Sequence, residues 1–167
     1  MAATALPASG SVTVSVAAPP EAIWVFASDP SVPARFSGEL QAASFVDGAG
    51  PEPGAVIAGS NKNGDFAWTT ESTVTDCVAP SLFRWATGEP GSPTATWTLS
   101  IEPAGGGATL THSVVFHAGR PPLGPAVEAA PERAHEIVRE RMATVLANMT
   151  ATAMGIAGLA EGDHDDR

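Results

Sequence analysis

The stretch SVTVSVAAPPEAIWVFAS, residues 11–28, joins two patterns that together decide the fold. In its first part Val12, Val14 and Val16 alternate with serine and threonine, which predicts a strand with one buried face. The Pro-Pro pair that follows ends the strand, and proline is tolerated in the first turn of a helix. Residues 21–28 then have a broad apolar face, which predicts a short helix. The sequence does not decide whether a second short helical turn follows before residue 36.

Six further strands are predicted downstream of this strand and helix. Each is a short run of strand-forming residues bounded by Gly, Pro, Asn or Asp, as is typical of strands joined by tight turns. The predicted strands cover residues 40–46, 55–60, 65–78, 82–87, 94–102 and 108–117. Because consecutive strands are connected by turns of a few residues, the sequence predicts an antiparallel sheet.

The last third of the chain changes from a period of two to a period of 3.6. From about Ala126 the apolar residues recur on one stripe, which indicates a long amphipathic helix. Pro131 must either start or kink this helix, since proline is tolerated only in a first turn. A helix of this kind has to bury its apolar stripe against the sheet. The predicted fold class is therefore α+β, an antiparallel sheet with helices on one face.

Length and charge limit the possible classes of protein. The chain has 167 residues and a formal net charge of −10, with 44% hydrophobic and only 16% charged residues. This predicts one domain over residues 11–160, between a flexible N-terminus (1–10) and a disordered tail (161–167). The acidic balance argues against binding to nucleic acid, which requires basic patches. The lone cysteine, the absence of a basic, apolar leader and the absence of about 18 consecutive apolar residues predict a cytoplasmic protein without stable membrane insertion.

Several short motifs follow one another in a fixed order along the chain. They are Val12-x-Val14-x-Val16, Ala18-Pro19-Pro20-Glu21-x-Ile23-Trp24, Asp29-Pro30, Asn61-Lys62-Asn63-Gly64, Trp68-x-Thr70-x-Ser72-x-Val74, Pro80-x-x-Phe83, Trp97-x-Leu99 and Gly107-x-x-Leu110. This ordered set, with the terminal helix, resembles the helix-grip superfamily, which includes START domains, the birch-pollen allergen type and polyketide cyclase/dehydrase-like proteins. The resemblance covers about residues 11–160.

The resemblance implies a curved seven-stranded antiparallel sheet wrapped around the long C-terminal helix. It also implies a deep, mainly apolar cavity between sheet and helix that takes a hydrophobic ligand. This fold is used by binders, lipid carriers, cyclases and regulators, so it does not by itself fix the function.

Strand alternation selects the residues that would line such a cavity. Trp68, Thr70 and Ser72 share one side of the long predicted strand, and this side is the more apolar one. Trp85 and Trp97 fall on the same inward face of the next two strands. An apolar wall with a few polar groups suits a small-molecule site. The three tryptophans could equally fill the core, since the inner face of the sheet would serve both purposes.

Two histidines and a methionine complete the predicted site. His112 faces inward among apolar neighbours and could act as a general acid or base near neutral pH. The alternative is a core histidine hydrogen-bonded to Thr70, Ser72 or a water. His135 and Met142 fall on the apolar side of the terminal helix near its start, where we expect the cavity to open. His135 would contact a ligand at the mouth or simply lie on the rim.

Cyclases of this type generally use arginine, tyrosine or acid–histidine combinations inside the pocket, and the resemblance implies the same here. The chain has no tyrosine, however, and alternation places Arg84 and Glu71 on the outer face, with Arg35 in an early loop. The predicted pocket therefore lacks a charged pair, which disfavours cyclase activity, although a bulge in a strand would bring a charged side chain inside. No metal-ligand spacing or nucleotide-binding motif is found, so we expect no metal and no cofactor.

Three functions are consistent with the sequence. The first is binding of a hydrophobic small molecule, lipid- or polyketide-like, in the cavity. The second is a polyketide cyclase/dehydrase-type enzyme in which His112 moves a proton while Thr70 or Ser72 orients the substrate. The third is a non-catalytic module that binds a partner through a sheet edge or the acidic surface. The sequence leaves open whether the protein is a monomer or a homodimer.

Overall fold

A computed structural model of the protein describes residues 8–117 and 124–165. The strands are β1 (Ala8–Val16), β2 (Leu40–Phe45), β3 (Val56–Asn63), β4 (Phe66–Val78), β5 (Leu82–Glu89), β6 (Ser92–Ala104) and β7 (Gly107–Phe116). The helices are α1 (Pro20–Ala27), α2 (Gly124–Ala129) and α3 (Ala134–Asp165), with 3-10 turns at Pro33–Arg35, Val46–Gly48 and Pro131–Arg133. The predicted α+β class, the series of strands and the long helix are confirmed.

All seven strands form one antiparallel sheet in the order β1-β7-β6-β5-β4-β3-β2. The chain enters at β1, crosses through α1 to β2 at the opposite edge, and returns strand by strand until β7 pairs with β1. Every step of that return joins neighbouring antiparallel strands, as the tight turns of the sequence predict.

The register of the central strands confirms the predicted inward faces. Trp85 of β5 lies opposite both Val74 of β4 and Trp97 of β6. Leu99 of β6 lies opposite His112 of β7, so these residues share one face of the sheet. A bulge follows Val74 in β4, and another follows Thr87 in β5. Both lie outside the tryptophan pair, so neither exchanges the faces there.

Helix α3 packs on the inner face of the sheet over β1 and β7. It leaves space over the rest of that same face. It contacts β1, β7 and α1, and its residues Ala153, Ile156 and Ala160 are fully buried in the core. The same core contains Ile23 of α1 and Leu110 of β7, both without exposed surface. The inner faces of β3, β4 and β5 lie beyond this contact, and a cavity lies above them.

The ends of the domain differ from the predicted boundaries. Strand β1 begins at Ala8, within the segment predicted as a flexible N-terminus, and α3 continues to Asp165, within the predicted tail. The side chain of Glu161 accepts a hydrogen bond from the Ala17 N–H (3.0 Å), which fixes the end of α3 to the end of β1. Residues 1–7 and 166–167 lie outside the described residues. Pro131 separates α2 from α3, so the long helix starts after the proline.

By length and composition, the segment Pro131–Gly162 is apolar enough to cross a membrane. About a third (33%) of its most apolar 18-residue window is buried inside the domain, and Val145, Met149 and Ile156 are among the buried residues of this helix. A core helix of a soluble protein has the same composition, so the segment is weak evidence for insertion. The absence of stable membrane insertion stays a prediction.

Candidate functional site

A cavity of about 780 Å³ lies between the inner face of the sheet and α3. Its volume is within the range of about 300–1,000 Å³ that is usual for small-molecule sites. Strands β2 to β7 supply one wall, α3 supplies the opposite wall, and the loop and 3-10 turn after α1 supply part of the rim. The site therefore lies where the sheet curves away from the helix.

Aromatic rings cover the sheet side of the cavity. Trp85 and Trp97 lie side by side, with ring centroids 6.4 Å apart and planes only 10° from parallel. Phe83 lies next to Trp85 at 5.4 Å, and Phe66 stacks on Trp68 at the same distance. All five rings line the cavity. Trp85 and Trp97 also pack against the two core clusters, so they line the cavity and fill the core at once.

The polar residues predicted on β4 are present in the cavity wall. Thr70 lines the cavity, and buried Ser72 shares a hydrogen bond of 2.9 Å with Thr87 of β5. This bond joins two hydroxyls across neighbouring strands, and each hydroxyl has further capacity to donate or accept. Thr70, Ser72 and Thr87 therefore give the aromatic wall a short polar strip.

His112 lies in this wall between the two tryptophans, with its ring centroid 6.0 Å from each of them. Its Nδ1 atom is 3.1 Å from the carbonyl oxygen of Thr98. A carbonyl only accepts hydrogen bonds, so we assign the proton to Nδ1 and a lone pair to Nε2. The partner is thus a backbone carbonyl on β6, not Thr70 or Ser72 as the sequence suggested.

The environment keeps the His112 imidazole neutral. Burial lowers its pKa to about 4, against the smaller opposing effect of the hydrogen bond to Thr98. At neutral pH Nε2 is therefore an acceptor, and it has no hydrogen-bond partner among the described residues. A neutral imidazole in this tautomer can accept a proton at Nε2 but has none to give there. The general-acid half of the predicted role is not available at neutral pH.

The cavity contains a charged pair that the sequence analysis missed. Arg141 of α3 donates from Nη1 to both carboxylate oxygens of Glu39, at 2.6 and 2.8 Å, and both residues line the cavity. The guanidinium lies 5.9 Å from the centroid of the Trp68 ring, within reach of a cation–π contact. The prediction of a pocket without a charged pair is therefore wrong.

Asn148 connects this pair to the backbone. Its Nδ2 donates to Glu39 (3.1 Å), and its Oδ1 accepts from the Gly38 N–H (2.9 Å). Arg141 and Asn148 lie two turns apart on the inner face of α3, and together with Glu39 and Gly38 they form what we call the polar clasp. The clasp fixes the segment before β2 to the helix and closes one side of the cavity.

The spacing of residues along α3 contains a signal for Arg141. Arg141, Val145, Asn148 and Thr152 succeed one another at intervals of four, three and four residues, which places them on one stripe of α3. Two polar members of this stripe, Arg141 and Asn148, form the helix side of the polar clasp. Glu39 carried no comparable signal, because it lies in an irregular segment between a 3-10 turn and β2.

Two predicted site residues lie outside the cavity wall. His135 is exposed in the first turn of α3 and does not line the cavity. Met142 packs with Leu146 beside β1, close to Gly10. The reason is the phase of the helix: one residue is about 100° of rotation, so Arg141 faces the cavity and Met142 faces β1.

Neither of the two arginines considered from sequence reaches the cavity wall. Arg84 lies on the outer face, where it bonds Thr98 Oγ1 (3.1 Å) and Asp76 (3.3 Å). Arg35 is exposed, with its guanidinium 5.7 Å from the Phe36 ring. Among the described residues, no three His, Cys, Asp or Glu side chains come together as a metal site.

Comparison with solved structures gives the same architecture. The polyketide cyclase-like protein Cgl2372 from Corynebacterium glutamicum aligns over 100% of this chain and 98% of its own, with 19% identity and a TM-score of 0.66. The Zhui aromatase/cyclase from Streptomyces sp. R1128 aligns over 93% and 94%, with 16% identity and a TM-score of 0.69. At these identities the likeness shows the fold alone.

A third structure is twice as long as this chain. The di-domain ARO/CYC protein BexL, from the BE-7585A biosynthetic pathway, aligns over 97% of this chain but only 51% of its own, with 20% identity and a TM-score of 0.66. No curated protein sequence matches significantly. The family model described as polyketide cyclase/dehydrase and lipid transport matches residues 7–153, nearly the whole domain. The chain therefore belongs to the polyketide cyclase/dehydrase and lipid transport family, within the helix-grip superfamily.

Proposed function

We propose that the protein binds a hydrophobic small molecule, lipid- or polyketide-like, in the cavity between the sheet and α3. The observation that carries the proposal is the cavity of about 780 Å³ walled by Trp68, Trp85 and Trp97. Buried apolar surface supplies the main driving force for such binding, and the few polar groups supply orientation. Family membership supports the same class of ligand.

The test blocks the cavity without touching the polar clasp. Thr70→Trp places an indole in the cavity, since Thr70 faces inward on β4. Thr69→Trp is the matched control, because Thr69 is the exposed neighbour on the outer face of the same strand. The neutral dye Nile red reports entry into an apolar site by its fluorescence. We expect the wild type and Thr69→Trp to bind alike and Thr70→Trp to bind at least about tenfold more weakly, a loss of ~1.4 kcal/mol.

Equal binding by both tryptophan variants would place the dye outside the cavity and contradict the proposal.

Native mass spectrometry of the protein purified from its own source then identifies the natural ligand as a co-purifying mass. That mass should be absent from the Thr70→Trp protein and present in Thr69→Trp.

A second candidate function is catalysis of a cyclase or dehydrase type. It is favoured by the unpartnered His112 Nε2 in the cavity wall and by the Arg141–Glu39 pair, which removes the objection raised from sequence. In this case Nε2 accepts a proton from the bound substrate, and Arg141 donates hydrogen bonds to an oxygen that gains negative charge. A His112→Asn variant that keeps full turnover of an identified substrate would exclude this role.

The third hypothesis, a non-catalytic partner-binding module, would be favoured by a fully collapsed interior without a cavity. The cavity does not favour it, and no feature of the described surface identifies a partner. Location in the cytoplasm stays a prediction, which cell fractionation tests. The choice between monomer and homodimer, which the sequence leaves open, is a question for light scattering.

A further inference from the structure

We infer that Glu39 sets the charge preference of the cavity: by neutralising Arg141, it makes the site accept ligands with an uncharged oxygen acceptor and reject carboxylates. This inference rests on the proposed function, since it concerns the ligand held in the same cavity. It follows from the charges in the wall, the bonds of the guanidinium and the solvent exposure of the pair.

Arg141 is the only cationic side chain in the described wall, and it is already compensated. The wall contains three charged residues, namely Asp29, Glu39 and Arg141, which sum to one negative charge. Asp29 lies at the exposed rim, where its carboxylate accepts two hydrogen bonds from Ser31. His112 adds no charge at neutral pH. A carboxylate ligand therefore enters a wall of net negative charge and finds no free countercharge.

The guanidinium still has donors for a neutral ligand. Both bonds to Glu39 come from Nη1, while Nε and Nη2 have no hydrogen-bond partner among the described residues. A carbonyl or ether oxygen can accept from these N–H groups without bringing a charge that must be desolvated. The ligand that fits has an apolar body against the tryptophans and a neutral oxygen near Arg141.

Burial makes the pair effective as a filter. The Glu39 side chain is 9% exposed and that of Arg141 is 21% exposed, so water screens their charges only weakly. Glu39 is also fixed by Asn148, and its backbone carbonyl accepts the Lys62 N–H at 2.9 Å, so it does not swing away to free the guanidinium. Glu39 is thus a specificity-determining residue that acts through Arg141.

The test uses two probes of one shape and different charge, 1-naphthaleneacetamide and 1-naphthaleneacetate. Isothermal titration calorimetry at pH 7.5 measures both against the full chain. We expect the wild type to bind the amide at least about tenfold more tightly than the carboxylate. Equal affinity of the wild type for the two probes would overturn the inference, whatever the behaviour of any variant.

The variant Glu39→Gln keeps the size of the side chain and removes its charge. Arg141 is then uncompensated, and a carboxylate can take the place of the lost oxygen. We expect the affinity for naphthaleneacetate to rise at least about tenfold relative to the affinity for the amide, measured on the same variant. In Glu39→Gln/Arg141→Gln the gain should disappear, because the cation that attracts the carboxylate is gone.

The outcomes separate the two proposals. If neither probe nor Nile red binds the wild type or any variant, the proposed function fails, and the inference fails with it. If Nile red binds but neither probe does, only the inference fails. If both probes bind but Glu39→Gln shows no gain for the carboxylate, only the inference fails. Thermal melting of each variant confirms that it is folded, and the wild-type comparison stands even where a variant does not fold.

Discussion

The Nδ1 atom of His112 lies 3.1 Å from the carbonyl oxygen of Thr98, on the strand next to it in the sheet. This single bond assigns the tautomer, and it directs the lone pair of Nε2 away from the sheet backbone. The only buried histidine among the described residues is therefore a neutral acceptor in an otherwise aromatic wall.

The first prediction is that stability falls as the pH drops below the ordinary pKa of histidine. The pKa of His112 is lowered from 6.5 to about 4, so between these values the unfolded chain binds a proton that the folded protein does not. The contribution of His112 to stability is fully present above its pKa in the unfolded chain. It is lost as the pH falls towards its pKa in the folded protein. Between pH 7.5 and pH 5 the loss is about 2 kcal/mol.

Urea unfolding at the two pH values measures this loss. The carboxylates also titrate in this range, so His112→Asn is measured in parallel, and the difference between the two proteins isolates the imidazole. The variant should lose about 2 kcal/mol less than the wild type over the same interval. An NMR titration that puts the pKa of His112 above 6 would contradict the assignment.

The second prediction concerns the polar clasp. Asn148→Ala removes the acceptor of the Gly38 N–H and one donor to Glu39. The loss of one exposed and one partly buried hydrogen bond, the latter to a charged carboxylate, should lower the free energy of unfolding by about 1–3 kcal/mol. Thr144→Ala, on the exposed face of the same helix, is the control and should change it by less than about 0.5 kcal/mol. Chemical denaturation that finds no difference between the two variants would show that the clasp adds nothing to stability.

The third prediction compares two glycines of α3. A Cβ at Gly155 would overlap the ring of Phe36, whereas a Cβ at Gly158 meets nothing. Gly158→Ala should therefore stabilise the protein by up to about 1 kcal/mol through helix propensity alone. Gly155→Ala gains the same propensity but must displace the ring, and overpacking of this kind costs about 1–3 kcal/mol. Opposite signs of the two changes in melting temperature are the expected result.

The fourth prediction follows from the position of His135. It is exposed and does not line the cavity, so His135→Ala should leave the affinity for Nile red within about twofold, or ~0.4 kcal/mol, of the wild type. A loss of tenfold in fluorescence titration would bring His135 back to the mouth of the site, as the sequence suggested.

Alternation predicted the sheet side of the site because a strand has only two faces. Once Trp68 is placed inward, Thr70 and Ser72 follow with it, and the tight turns carry the same choice to Trp85 and Trp97. The bulges that would have reversed these faces lie outside the aromatic wall. This part of the site was therefore available from the sequence.

The helix side of the site is harder to predict, because helix side chains point in all directions around the axis and not to two opposite faces. Arg141 and Met142 are neighbours in sequence, yet one contacts Glu39 and the other packs beside β1. An error of one position in the phase of α3 exchanges the two. Glu39 and Arg141 lie far apart in the chain, and no local pattern marks a contact between such distant residues.

The pairing of β1 with β7 also governs how the protein reaches its native state. Val12 pairs with His112, so the first and last strands in the sequence meet only when nearly the whole domain has been brought together. Strands β3 to β7, by contrast, are joined by short turns and lose little chain entropy when they pair. A domain closed by such a distant pairing belongs to the slower folders, with times of milliseconds to seconds. Because pairing between strands that are distant in the chain slows folding, apolar surface is exposed for longer before the native state forms, and this pairing therefore raises the risk of aggregation during folding.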